Sequence, residues 1–212
     1  MPIIRFPVLV LALCAGLRAH AAAHDYRLDT THTQIMASAS HLGFSHPGGR
    51  LRVKSGWFRF DPDDWSTARV EATIDAGSID FGDAVWNDKL RSREFLDVAH
   101  YPTVRFVSER VEKTGDKTGV AHGKLTLLGI TRPLDLVITL NRVAVHAYSL
   151  QWTAGFHASA QLDRSDFRMT RYLPDVGDAV AIRIEAEGIR DAGAQKSAAI
   201  ANPASADDMR KP

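Results

Sequence analysis

The sequence predicts an all-β domain of about eight antiparallel strands, closed as a barrel or folded as a sandwich. Three observations predict it. Apolar residues recur with a period of two in run after run, the mark of strands with one buried face. Turn chemistry separates the runs, at Pro47-Gly48-Gly49, Asp61-Pro62-Asp63-Asp64, Thr114-Gly115-Asp116 and Asp175-Val176-Gly177-Asp178. No strand–helix alternation supports a parallel sheet.

The first run places Ile35, Ala37, Ala39 and His41 on one face. A second, near Leu51–Phe60, and a fifth, near Ala121–Leu128, contain Gly56 and Gly123, which suggest bulges or tight bends. The third alternates Val70, Ala72 and Ile74 with Arg69, Glu71, Thr73 and Asp75, and the fourth Val104 and Phe106 with Arg105. The sixth alternates Leu134, Leu136, Ile138 and Leu140 with Asp135, Val137 and Thr139. The seventh shows Phe156, Ala158, Ala160 and Leu162, and the eighth Val180, Ile182, Ile184 and Ala186. One helical interruption fits near Gly82–Leu96, where Val85, Trp86, Leu90 and Phe95 can share a side.

The ends read differently. Residues 1–23 have a positive start, an apolar run from Phe6 to Leu17 and a small-residue exit, the pattern of a secretory signal peptide cleaved after Ala21 or Ala23. The run is shorter than the roughly 20 residues of a membrane span. The single cysteine, Cys14, lies inside this segment. Leu11-Ala12-Leu13-Cys14 loosely resembles a lipobox, but Leu13 stands where a small residue belongs. Residues 191–212, rich in Ala, Asp, Lys and Pro, read as a disordered tail. That leaves residues 24–190 as one folded body.

Lys and Arg number 26 against 25 Asp and Glu, so the charge is +1, and removing Arg5 and Arg18 with the signal turns it to −1. Without a clustered basic surface, nothing points to nucleic acid. The histidines show no His-x-His or His-Glu-x-x-His spacing, so no metal site is expected. No Gly-x-Ser-x-Gly elbow is present, and Asp63-Asp64 and Asp207-Asp208 sit in turn and tail sequence. No cofactor motif is apparent.

An eight-stranded barrel has room for its own side chains or for one small ligand. Ala37, Ala39, Ala72, Ala158, Ala160 and Ala186 on the inward faces leave space, and Phe58, Phe106 and Phe156 take some back. Periodicity alone leaves both interiors open. His32 and His41 are the foremost polar candidates: either bonds a ligand head group or is a structural histidine held by a carboxylate such as Asp29. Arg164 and Asp166 form a loop-locking ion pair or touch an anionic head, and Arg91 carries the same two readings. The four tryptophans fit core or hairpin positions, with Trp86 a lid candidate.

Three stretches resemble the YceI-like family of bacterial periplasmic polyisoprenoid-binding proteins. The first is Tyr26-Arg27-Leu28-Asp29-Thr30-Thr31-His32-Thr33, then His41-Leu42-Gly43-Phe44-Ser45 and Gly49-Arg50-Leu51. The second is Ser78-Ile79-Asp80, Leu90-Arg91-Ser92, Phe95, Tyr101-Pro102 and Phe106. The third, and most specific, runs from Gly123 through Thr126, Gly129, Thr131 and Pro133, followed by Arg164-Ser165-Asp166-Phe167. Departures fall at Phe81, at Ala84–Lys89 and at Arg168, in the helical interruption and one late loop.

The resemblance implies an extended eight-stranded lipocalin-like barrel with a short helical insertion. It also implies a periplasmic homodimer with no membrane span, holding a polyprenyl lipid and performing no catalysis. The ligand-binding residues expected are Ile35, Ala37, Ala39, His41, Phe58, Trp86, Phe106, Leu125, Leu127, Leu136, Ile138, Phe156, Ala158 and Phe167. Twenty buried carbons at about 0.8 kcal/mol each give roughly 16 kcal/mol before ordering costs, so an apolar tube needs no strong polar anchor. A polyprenyl quinone or phosphate is the expected ligand. A fatty acid or fatty amide, an enzyme using His41 with a carboxylate, and a filled barrel acting as a stress-related interaction module are the alternatives.

Overall fold

The computed structural model describes residues 22–201. Cys14, Asp207-Asp208 and the cleavage position at Ala21 fall outside the described residues. Nine strands form one antiparallel sheet: β1 (His24–Leu28), β2 (Gln34–His41), β3 (Gly48–Phe60), β4 (Arg69–Asp80), β5 (Thr103–Lys113), β6 (Thr118–Leu127), β7 (Ile130–Val145), β8 (Trp152–Asp163) and β9 (Val176–Arg190). Helix α1 (Ala84–Arg91) joins β4 to β5, and α2 (Ala194–Ala201) follows β9.

Strands β2 to β9 pair in sequence order, and β9 pairs back onto β2, which closes the barrel without free edges. The extra strand, β1, explains the difference from the eight expected. It lies end to end with β2 in one position of the wall, where both pair with β3 and β9. Tyr26 pairs with Phe58, and Ile35 with Leu51. Between them the chain turns out at Asp29–Thr33. The Asp29 carboxylate accepts from the backbone of Thr31 and His32, and the Thr33 hydroxyl bonds both the carbonyl and the N–H of Glu187. A side chain thus replaces the missing strand hydrogen bonds. Five residues are too few to show a period, so β1 is silent in the sequence.

The three connections 42–47, 81–102 and 164–175 lie at one end of the barrel, with the tight turn at Leu128–Gly129. The other end is packed by aromatic rings. Tyr26 stacks on Phe58 at 4.9 Å, Phe156 meets both Phe58 and Phe60 edge to face, and Phe60 meets Trp65 at 5.2 Å. Trp65, 2% exposed, sits on a 3₁₀ turn (Trp65–Thr67) capped by Asp64, and its Nε1 donates to the Pro62 carbonyl.

Gly56 and Gly123 are sites of close approach. A Cβ on Gly123 would lie 2.6 Å from the Phe106 ring, and one on Gly56 2.5 Å from Leu28. The strand irregularities fall beside them, between Val53 and Ser55 and between Ser108 and Arg110. The turn expected at Pro47-Gly48-Gly49 instead forms at Leu42–Ser45, and both glycines belong to β3. Gly49 is required there because the Phe81 ring fills the space of a side chain. In the helical segment Phe95 is buried and Leu90 half-buried as expected, but Val85 faces solvent.

The tail expected to be disordered from residue 191 instead folds as far as Ala201. Ala194 and Ala198 of α2 bury against Trp57 on the outer face of β3. Small residues four apart let the helix approach the indole closely, a signal too slight to see in an alanine-rich segment.

Candidate functional site

The interior is not filled. A cavity of about 690 Å³ runs within the barrel. Its wall is built from the inward positions of the strands: Ile35, Ala37 and Ala39 of β2; Phe58 of β3; Phe106 of β5; Leu125 and Leu127 of β6; Leu136 and Ile138 of β7; Phe156 and Ala158 of β8. The small residues set against the phenylalanines leave the space, as alternation on a pleated strand requires. At about 30 Å³ per water-sized atom, the volume holds on the order of 20 to 25 non-hydrogen atoms.

One end is shut by the Phe60–Trp65 plug. The other reaches the surface among His41, Leu42, Trp86, Lys89, Tyr172 and Asp175, which also line the cavity. Helix α1 begins with the Asp83 carboxylate accepting from the Trp86 N–H, which places the indole over the opening. The His41 ring lies 5.5 Å from it and Phe81 6.3 Å from it. No carboxylate bonds the His41 ring among the described residues.

The polar side of the mouth gathers around Tyr172. Lys89 Nζ lies 5.3 Å from its ring centre, Arg171 4.5 Å, and Phe95 stacks beside it at 6.1 Å. Both cations meet the Glu94 carboxylate, at 2.7 Å and 3.2 Å. Hydrogen bonds from Lys89 and then Arg171 hold the Tyr172 phenol below its ordinary value of 10.0. Tyr172 has φ of +61°, a conformation that non-glycine residues adopt at a cost and that concentrates at functional sites.

Thirteen of the fourteen expected binding residues line the cavity. Phe167 does not: it is 2% exposed, on the 3₁₀ turn Arg164–Phe167, and packs into the core outside the wall. The Arg164–Asp166 ion pair does not form. Arg164, itself at the cavity wall, donates to the carbonyls of Gly177, Met169 and Val176, while Ser165 bonds Asp178 through N–H and hydroxyl. Arg91 likewise holds the carbonyls of Gly77 and Ile79. His32 is bound to Asp29 at 2.8 Å, the structural reading. Sequence reasoning missed Lys89, Phe95 and Tyr172 as a mouth group, because they come from two distant connections. Among the described residues no cluster of His, Cys, Asp and Glu suits a metal ion, and no helix is long and apolar enough to cross a membrane.

A closed antiparallel barrel around an apolar cavity with one open end defines a small-molecule binding barrel. The chain belongs to the YceI-like family, whose domain model matches residues 26–188. Protein YceI of Salmonella arizonae is 33% identical over 172 residues, covering 80% of this chain and 89% of that one. BcnA of Burkholderia cenocepacia has the same fold, with a TM-score of 0.65 at 23% identity over 76% of this chain and 98% of that one. A polyisoprenoid binding domain from Saccharophagus degradans, implicated in plant cell wall breakdown, aligns with a TM-score of 0.55 at 14% identity over 78% of this chain and 98% of that one.

Proposed function

We propose that the protein is a periplasmic binding and carrier protein that holds the tail of a polyisoprenoid lipid, a polyprenyl quinone or polyprenyl phosphate, inside its barrel. The observation that carries this is the cavity: apolar along its wall, plugged at one end and open at the other. Its volume takes about four or five isoprene units by the same atom count. A longer tail or a head group then emerges beside Trp86, Lys89 and Tyr172. The Saccharophagus degradans domain supports the choice of ligand. The reading includes export through residues 1–23, assembly as a homodimer, and no chemistry on the cargo.

A linear fatty acid or fatty amide is the second reading, because the wall offers only apolar contact to any tail. Titration of delipidated protein decides between them. A prenyl alcohol is expected to bind one to one and to resist displacement by an equimolar amount of palmitate. Ready displacement by palmitate favours the acyl reading, and binding of neither contradicts both.

A further inference from the structure

The end of the barrel that opens is also rimmed with apolar side chains turned outward. Phe44 is 90% exposed, Val85 75%, Leu42 51% and Trp86 41%. Phe44 and Leu42 stand on the β2–β3 turn, Val85 and Trp86 on the first turn of α1, and the His41–Trp86 contact shows that the two segments adjoin. Leu42 and Trp86 belong both to this rim and to the cavity wall. The rim is therefore the outward continuation of the cavity surface.

Two features show that the exposure is built in. Leu42 has φ of +54°, a strained conformation for leucine, and with Gly43 at +73° it forms the turn that presents Phe44 to solvent. The backbone around it is fixed: Leu42 N–H donates to Asp175 O and Phe44 N–H to His41 O. Some polar groups beside the rim are engaged within the protein, Asp83 by the Trp86 N–H and Lys89 and Arg171 by Glu94. Phe44, Val85, Leu42 and Trp86 offer a partner apolar contact around the opening.

The charge of this end is balanced. With histidine neutral, residues 81–102 carry three Lys or Arg and four acidic side chains, residues 164–175 three Arg and two acidic, and residues 42–47 none. We infer that the rim docks on a lipid bilayer, inserting Phe44, Leu42, Val85 and Trp86 at the interface so that a tail passes between membrane and cavity without crossing water. Because Leu42 and Trp86 belong to both the rim and the cavity wall, a bilayer seated on the rim meets the cavity opening directly. The charge balance suits a zwitterionic surface and removes any need for anionic lipid.

This inference rests on the lipid-binding reading, and one set of samples separates the two. Lipid-free mature protein is floated with phosphatidylcholine vesicles at low and high salt, and its uptake of farnesol from solution is measured in parallel. Wild type is expected to float at both salt levels. F44D/V85D is expected to bind vesicles at least about tenfold more weakly, because carboxylates replace two apolar anchors, and to take up farnesol normally. Y148S/L150S alters the exposed β7–β8 hairpin at the plugged end and is expected to float like wild type.

Docking is overturned if wild type does not float, if high salt releases it, if F44D/V85D floats equally, or if Y148S/L150S is the variant that fails. It is also overturned if F44D/V85D converts a solution dimer into monomers, which assigns the rim to a second copy. Protein that floats but takes up no farnesol contradicts the binding reading instead.

Discussion

Ala158→Trp should empty the barrel of lipid without unfolding it. Ala158 lies on β8, 6% exposed, between Ile138 and Ile184 of the neighbouring strands, and all three line the cavity. Tryptophan brings about nine more non-hydrogen atoms than alanine, and each displaces about one ligand carbon worth about 0.8 kcal/mol. The nominal loss is about 7 kcal/mol, or about five decades in Kd. Ligand sliding toward the mouth recovers part of it, so at least a hundredfold weakening is expected. Because the new ring enters empty space rather than a packed core, the usual overpacking cost of roughly 1–3 kcal/mol should be largely avoided. The assay is displacement of a fluorescent apolar probe, with circular dichroism and Tm as the folding controls. Ala181→Trp, on the outward face of β9, should leave binding unchanged. A folded Ala158→Trp variant with wild-type affinity would refute the interior site.

Trp65→Ala should remove the plug, lower stability by about 3–5 kcal/mol in urea unfolding, and shift retention toward longer tails in mass spectra of bound lipid. Arg164→Lys should cost roughly 3 kcal/mol or more, because lysine cannot reach three separate carbonyls at once; faster amide exchange across residues 168–177 checks it. His32→Ala should change the pH dependence of Tm. Hydrogen bonding to Asp29 raises His32 above 6.5; against the upward push of burial, the His32 hydrogen bond helps hold Asp29 below 3.8. The pair's contribution is fully present from about pH 3.8 to 6.5; it is lost as pH rises through the raised His32 value or falls through the lowered Asp29 value. Wild type and variant should therefore converge at alkaline pH. Lys89→Ala should move the early phenol ionisation back toward 10.0 in an ultraviolet titration, and Tyr172→Phe should abolish it.

Much of the barrel was legible because a pleated strand writes its faces into the sequence. Leu134, Leu136 and Ile138 alternate with Asp135 and Val137, and the structure turns the first set inward. Exposed Val137 shows the limit, since an apolar residue on the outer face breaks the polarity pattern without changing the strand. The wall residues followed from this alternation, but the emptiness between them did not, since that depends on barrel width. The mouth was harder to read. Tyr172 and Lys89 are separated by a long stretch of chain and joined only by closure of the barrel. Phe167 illustrates the opposite error: a motif position read as binding proved to be packing, fixed by a 3₁₀ turn that strand periodicity does not describe. Helix α2 escaped notice because its buried face is two alanines.

The central claim is that the barrel interior carries a polyprenyl lipid in the cell. Native mass spectrometry of protein purified from the cells that make it, followed by organic extraction, tests it most directly. The account predicts one prenyl lipid per barrel in the wild type and none in Ala158→Trp. Wild-type protein that arrives with an empty barrel, or with the same lipid retained in the blocked variant, would contradict it.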